Sequence, residues 1–205
     1  MQKLDLRREL KHLYQPSAKA PLIVDVPPMR FLTISGVGGV GETSFQEALQ
    51  AIFNLGYPVK FGAKKTLEID YPVMPLEGLY WNADGGFHFD ASRPERMAWK
   101  LLMMVPDVIP DEFIETMRAD VAEKKNPPRL ADVRIETLAE GPSVQIMYVG
   151  PYADETPTIE RLVAYAAEQG YEVAGAHHEI YIGDPNRSAP EKLKTVLRYP
   201  VRQAG

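Results

Sequence analysis

The chain has 205 residues, 45% of them apolar, a formal net charge of −5 and no cysteine. That length suits one large domain or two fused halves, with apolar residues enough for a sizeable core. The acidic balance argues against a nucleic-acid partner held by phosphate contacts, and the missing thiols exclude disulfides, cysteine nucleophiles and cysteine-ligated zinc.

The absence of cysteine fits a reducing cytoplasm, which is the expected location. The charged opening at residues 1–11 has no secretory core, and apolar runs such as 101–105 are far too short to span a bilayer. No membrane partner is therefore expected.

Leu4, Leu6, Leu10 and Leu13 predict a short amphipathic helix. Pro16, Pro21, Pro27 and Pro28 keep the next segment extended, around a short strand at 22–24. Residues 29–35 read as a strand ended by the glycine cluster at 36–41. Thr43 or Ser44 caps a helix that runs to about Leu55, with Phe45, Leu49, Ile52 and Phe53 on one face and Gly56 as its stop. Strands are predicted at 59–62 and 66–74. A hairpin follows, pairing 79–81 with 87–89 across Asn82-Ala83-Asp84-Gly85-Gly86. Then come a strand within 96–105, a helix from Pro110-Asp111 to about Lys125, and a strand at 132–138.

The last third repeats the first. At an offset of 114 residues Gly36 meets Gly150, Gly56 meets Gly170, Tyr57 meets Tyr171, Leu32 meets Ile146 and Leu49 meets Val163. An offset held over more than twenty residues indicates an internal duplication. Tyr71-Pro72-Val73 also recurs as Tyr199-Pro200-Val201, at a different offset, and the extra length is assigned to 179–195. Two strand–helix–strand–strand halves, at about 29–105 and 130–203, predict an α+β domain with pseudo-twofold symmetry, preceded by a helix and extended arm at 1–28. Antiparallel sheets would carry helices on one face and leave the other face to form a central ligand cleft.

The stretch 176–182 reads as a strand closed by the turn Gly183-Asp184-Pro185. Alternation puts His178, Ile180 and Ile182 on one face and His177, Glu179 and Tyr181 on the other. A carboxylate in mid-strand between apolar neighbours marks either a solvated sheet face or a binding site. If buried, it would tend toward a raised pKa. His177 and His178 point to opposite faces and do not readily share an ion, and Ile182 stands where a His-Glu-x-x-His helix needs its second histidine. No metal and no cofactor is expected.

Gly36-Val37-Gly38-Gly39-Val40-Gly41-Glu42-Thr43 nearly spells a phosphate-binding loop between a strand and a helix, but Glu42 occupies the lysine position and would repel phosphate. The same residues fit a dinucleotide fingerprint without the parallel βαβ unit that should follow. A turn feeding a helix accounts for them. Tyr71, Tyr80, Trp81, Trp99, Tyr148, Tyr152 and Tyr181 fall mostly on predicted strands or strand ends. Some are core. Rings of this kind around one carboxylate suit a planar hydrophobic or cationic ligand.

Three segments carry a family likeness. They are Asp70-Tyr71-Pro72-Val73-Met74-Pro75-Leu76-Glu77-Gly78-Leu79-Tyr80-Trp81, Tyr148-Val149-Gly150-Pro151-Tyr152 with Glu155, and His178-Glu179-Ile180-Tyr181-Ile182-Gly183-Asp184-Pro185 with the residues through Thr195. With them the chain resembles the GyrI-like small-molecule-binding family, whose fold also serves as the drug-binding domain of multidrug-sensing transcription regulators. The resemblance implies a tandem pair of strand–helix–strand–strand units around a cleft, with Glu179 as the acid at its base. Tyr148 stands where many members carry histidine. The opening 28 residues are too short and proline-rich for a DNA-binding helix-turn-helix, so the stand-alone type is expected.

Some stand-alone members open the cyclopropane ring of DNA-alkylating natural products with a tryptophan and a glutamate, for which Trp81 and Glu179 are the counterparts here. On that reading Glu179, Trp81 and Tyr148 are the candidate catalytic residues, and Tyr71, Trp99, Tyr152, Tyr181 and His177 the candidate ligand contacts. A non-catalytic sink or sensor for hydrophobic cationic drugs is the alternative.

Overall fold

The computed structural model describes residues 1–87, 93–183 and 187–205. Its frame is a nine-stranded sheet. In chain order the strands are β1 (Gln2–Lys3), β2 (Leu22–Val26), β3 (Met29–Val37), β4 (Ile69–Asp70), β5 (Leu76–Asn82), β6 (Met97–Met104), β7 (Arg134–Leu138), β8 (Gly141–Val149), β9 (Tyr171–Val173), β10 (His177–Tyr181) and β11 (Lys194–Gln203). The helices are α1 (Leu6–Glu9), α2 (Lys11–Tyr14), α3 (Thr43–Gly62), α4 (Asp111–Lys124) and α5 (Thr156–Glu168). The large sheet runs β2-β8-β11-β10-β5-β6-β3-β7, with β9 added to β11, while β1 and β4 form a separate parallel ladder.

That order reads the same from its centre outward. β5, β6 and β3 lie on one side of the β5/β10 seam, and β10, β11 and β8 lie on the other. The pseudo-twofold arrangement follows from the duplicated strand–helix–strand–strand unit. The end strand β2 is joined to β3, which lies next to the other end, only by residues 27–28, and the end strand β7 to β8 only by residues 139–140. Two residues reach only about 10 Å, so the antiparallel sheet curls into a half-barrel with its two ends drawn together where these links lie.

The helix α3 is far longer than its sequence signals. It passes through Gly56 and Pro58 to Gly62 and continues as a π-helical turn, Ala63–Leu67, so the strand predicted at 59–62 is helix. Of the strand predicted at 66–74 only Ile69–Asp70 forms, paired with Gln2–Lys3. Gly56 is not a stop, because a Cβ there would lie 2.1 Å from the Met103 sulfur. The glycine lets the helix sit close on β6. Ala48, Ala51, Ile52, Leu55, Val59 and Ala63 are all fully buried, at helical spacing. Each large one contributes about 1.5–3 kcal/mol, enough in sum to outweigh one interior proline at about 3 kcal/mol. Gly170, at φ +80°, is the helix stop that Gly56 is not, at the end of α5. The extra length thus lies in the first helix, 20 residues against 13, and not at 179–195.

Tyr71-Pro72-Val73 lies outside the strands and Tyr199-Pro200-Val201 lies within β11, so that second recurrence is coincidental. Both edges of β5 are filled, by β6 and β10, and the partner of Leu79–Trp81 in the next segment is β6. The predicted strand at 87–89 and the turn at 183–185 fall partly outside the described residues.

The two repeat helices, α3 and α5, lie on one face of the sheet. Phe45 of α3 meets Trp99 edge-on at 5.0 Å, and Leu162 and Ala166 of α5 pack with Val144, Ile146, Leu197 and Tyr199. The opposite face, expected to be open, is covered at its centre by the N-terminal segment, where Leu13 and Tyr14 are buried. The glycine-rich loop receives its own acid. Gly39 N–H donates to Glu42 Oε1 at 2.8 Å, around Gly38 at φ +100°, so the concavity that resembled a phosphate cradle already holds a carboxylate. Gly36 answers to Trp99, whose ring would lie 2.3 Å from a Cβ at that position. Gly36→Ala should therefore cost about 1–3 kcal/mol by overpacking, read as a lower urea midpoint with unchanged slope.

Candidate functional site

Register decides what surrounds Glu179. Across β5 it sits opposite Gly78, and across β11 opposite Leu197. Directly opposed residues share a face, so Glu179, His177 and Tyr181 lie with Tyr80, Trp99, Leu197 and Tyr199 on the helix-bearing face, near the seam between the halves. Glu179 thus stands on the helix-bearing face and not on the uncovered face, where the cleft was expected. Gly78 gives Tyr80 its position. The Tyr80 hydroxyl would be 2.7 Å from a Cβ at 78, so the ring leans over the glycine and its hydroxyl meets that of Tyr181 at 2.5 Å.

Glu179 is 6% exposed and surrounded by donors. His177 Nε2 lies 3.1 Å from its Oε1, Glu155 offers an oxygen within 4.8 Å, and Tyr181 shares its face of the strand. Beside an anionic oxygen, His177 Nε2 carries the proton and donates. Burial alone would raise the Glu179 pKa. The bonds and charge from His177, then those from Tyr181 and Glu155, outweigh it and hold this carboxyl below the usual range. The raised pKa expected at this position belongs to its neighbour. Burial, and then the Glu179 charge, push Glu155 up to about 9. At neutral pH the pair shares one proton, held on the Glu155 side.

Glu155 stands at the start of α5, where an acid reads from sequence as a helix-start residue. Only the fold turns it inward, 7% exposed, with Oε1 4.0 Å from His177 Nε2 and Oε2 buried without a hydrogen-bond partner among the described residues. Tyr199 is the other missed neighbour, its ring 5.0 Å from His177. Burial and then the Glu179 charge raise the pKa of Tyr80, Tyr181 and Tyr199, with Glu155 adding to the effect at Tyr80 and Tyr199, so all three remain neutral hydroxyls. Glu155, His177 and Glu179 each offer a donor atom within 4.8 Å of the others, a spacing that a metal ion can also use.

The remaining candidates separate. Tyr152, 36% exposed, meets Tyr181 edge-on at 5.7 Å and is the outermost ring of the group. Trp99 shares the face but is fully buried between Phe45, Gly36 and the Arg129 guanidinium, which lies 5.6 Å over its ring. Trp81 is paired with Ala98 on the opposite face, because it is one residue from Tyr80 on a strand of period two. It therefore does not stand beside Glu179. Tyr148 donates its hydroxyl to Pro151 O at 2.8 Å, within its own turn. Tyr71 is buried 5.8 Å from Lys60 Nζ, on the side of α3 where Lys60 pairs with Asp70.

Behind β10 lies a second polar cluster. His178, on the reverse face, bridges Glu77 through Nε2 and Glu140 through Nδ1, both at 2.9 Å. Arg198 donates to Glu140, to Gln145 and to the carbonyl of Leu13 at 2.9–3.1 Å, and Tyr14 donates to Glu77 at 2.6 Å. Burial works against a charged imidazole, but Glu140 and then Glu77 raise His178 to about 9. Burial likewise opposes the Glu140 charge, and His178 and Arg198 overcome it, lowering that carboxyl to about 2.

A curled, duplicated sheet holding an ionised acid among tyrosine rings between two helices defines a small-molecule-binding α+β domain. The sequence profile of the GyrI-like small molecule binding domain matches residues 106–202. An uncharacterized conserved protein from Listeria innocua is 32% identical, with 97% of this chain and all of that chain covered and a TM-score of 0.89. Two structures from the same organism described as hydrolases are 30% and 31% identical, with TM-scores of 0.84 and 0.86, covering 97% and 98% of this chain and all of theirs. The C-terminal domain of EcmrR, 13% identical with a TM-score of 0.56 over 90% of this chain and 98% of that one, shares the fold alone. No curated protein sequence matches. The chain belongs to the GyrI-like small-molecule-binding family. Among the described residues no helix is long and apolar enough to cross a membrane.

Proposed function

We propose that this protein hydrolyses cyclopropanoid DNA-alkylating compounds by adding water to the strained ring with the help of Glu179, which makes it a detoxifying enzyme. The observation that carries the reading is the buried, ionised Glu179 at the seam of the two halves, bordered by tyrosines whose hydroxyls remain neutral. The full-length likeness to two Listeria innocua proteins described as hydrolases supports it.

The chemistry required is modest. In a spirocyclopropane conjugated to a carbonyl, water oxygen bonds to the ring methylene. The bond from that methylene to the spiro carbon breaks, and its electron pair moves through the conjugated ring to the carbonyl oxygen. Glu179 takes the water proton as general base, a contribution of about 10²–10⁴-fold. On this reading a neutral tyrosine hydroxyl from the Tyr80–Tyr181 pair donates to the developing negative charge. Tyr148 is less suited to that part because its hydroxyl is engaged by Pro151. Tyr152 and Tyr181 are the rings against which a planar ligand would stack.

A carboxylate among aromatic rings also suits a hydrophobic cation, so the rival reading is a binder without chemistry. Mass spectrometry of a spirocyclopropane compound after incubation with the protein separates the two. Product heavier by one water is expected. Intact compound that co-elutes with the protein would leave only the binder.

A further inference from the structure

We propose that Glu155, His177 and Glu179 form a binding site for one zinc-class divalent metal ion, and that the ion, once bound, blocks hydrolysis. The block rests on the hydrolase reading above. The site does not, because three ligands hold an ion whether or not the same acid does chemistry. Their donor atoms all lie within 4.8 Å of one another. His177 Nε2 is 3.1 Å from Glu179 Oε1 and 4.0 Å from Glu155 Oε1. Ligand atoms about 2.0–2.2 Å from one ion stand about 3–3.6 Å from each other. The first distance already fits. The second has to close by about half an ångström, which small rotations of a glutamate side chain supply.

Glu155 is 7% exposed, and its Oε2 is buried with no hydrogen-bond partner among the described residues. That oxygen shares a carbon with Oε1, so it lies at the same spot, and a buried acceptor without a donor calls for a ligand. The reverse face of β10 shows a pair of acids fully answered. There Glu77 and Glu140 meet His178, and Glu140 also meets Arg198. On the site face two carboxyls share one imidazole, and a dication would supply the charge that Arg198 supplies behind them. Strand alternation keeps His178 from being a ligand; the third ligand comes instead from the start of α5. Carboxylate oxygens with one imidazole nitrogen suit zinc and cobalt better than magnesium or calcium, which favour oxygen alone. The side chains of Glu155 and Glu179 are 9% and 8% exposed. That narrow opening to solvent gives the ion a way in and a water as its fourth ligand. On binding, His177 gives its Nε2 lone pair and keeps its ring proton on Nδ1. Both carboxyls bind as anions, so an acid proton is released as the ion enters. Glu179, engaged by the ion, no longer takes a proton from water.

The test titrates the chelator-treated full chain with Co²⁺. One ion per chain is expected, with the visible absorption of four- or five-coordinate cobalt, which Zn²⁺ then abolishes. Glu155→Gln, His177→Gln and Glu179→Gln should each weaken binding by about 100-fold or more, beyond the roughly 10–100-fold that a change behind a ligand costs. His12→Gln, at an exposed histidine, should leave binding unchanged. In the wild-type chain, of the four histidines His177 alone should show contact-shifted ring protons, a reading that stands even where a variant fails to fold. Zn²⁺ should slow the opening of a dienone-conjugated spirocyclopropane in proportion to the fraction of sites filled. Cobalt that keeps the spectrum of the hydrated ion, or that binds Glu155→Gln and Glu179→Gln as tightly as wild type, overturns the proposal and leaves the hydrolase reading standing. Undiminished turnover with the site filled overturns the block. Cobalt bound through His177, on a chain that opens no spirocyclopropane even when metal-free, supports the site and removes the hydrolase reading.

Discussion

Glu179→Gln should lower turnover of a spirocyclopropane substrate by about 10²–10⁴-fold while its dissociation constant changes by less than about tenfold. The amide is nearly isosteric and still accepts a hydrogen bond from His177, so the packing around the ligand survives. It cannot take a proton from water. Its neighbour responds as well. Burial and the Glu179 charge are what raise the Glu155 pKa, so loss of the charge returns Glu155 toward the ordinary carboxylate range. Chromatography of substrate and product, with ligand binding followed by quenching of tyrosine and tryptophan fluorescence, checks both halves of the expectation. Turnover at the wild-type rate in this variant would remove Glu179 from the chemistry.

Arg198→Met should cost about 3–5 kcal/mol of folding stability. Arg198 is fully buried, and its guanidinium reaches Glu140, Gln145 and the carbonyl of Leu13. Removing it leaves the Glu140 charge in the interior with only His178 to answer it. It also removes one of the bonds that hold the N-terminal segment against the reverse face of the sheet. Urea denaturation reads the loss, and a cost under about 1 kcal/mol would mean that the cluster is not charged as described.

The same cluster predicts the pH dependence of stability. His178 rises from 6.5 unfolded to about 9 folded, so its contribution is complete below about pH 6.5 and is lost as pH climbs toward 9. Glu155, raised from 4.5 to about 9, loses stability in the same direction, starting from lower pH. Glu140 acts in the opposite sense. Lowered from 4.5 to about 2, it contributes above pH 4.5 and is lost as pH falls toward 2. Melting temperature against pH should therefore fall toward both ends, and His178→Gln should flatten the alkaline side. An alkaline limb unchanged in that variant would contradict the charged imidazole.

Much of the architecture was legible in the chain. The 114-residue offset carried the two halves, because a duplicated segment keeps its strand, turn and helix signals at matching places. The alternation in β10 put His177, Glu179 and Tyr181 together, since a strand leaves no other option. Glu42 spoke against phosphate, and the fold shows it occupying the loop itself. Helix length was misread at Gly56 and Pro58, because residue type alone does not distinguish a glycine that ends a helix from one that admits the Met103 sulfur.

Local periodicity says which side chains share a face but not what that face meets. Trp81 and Trp99 look equivalent as letters. The register of β5 against β6 and β10 placed Trp99 on the side of Glu179 and Trp81 behind it. Glu155 lies 24 residues before Glu179 and on a different element, and it becomes that residue's proton partner only when α5 docks on β8 and β11. The reverse-face cluster draws Tyr14, Glu77, Glu140, His178 and Arg198 from five separate segments. By itself the sequence determined the pairs that neighbouring positions on one strand or helix enforce. The tertiary structure decided which distant acids share a proton, because burial and the approach of a second charge set a carboxyl's pKa, and both exist only once the sheet has curled and the helices have packed.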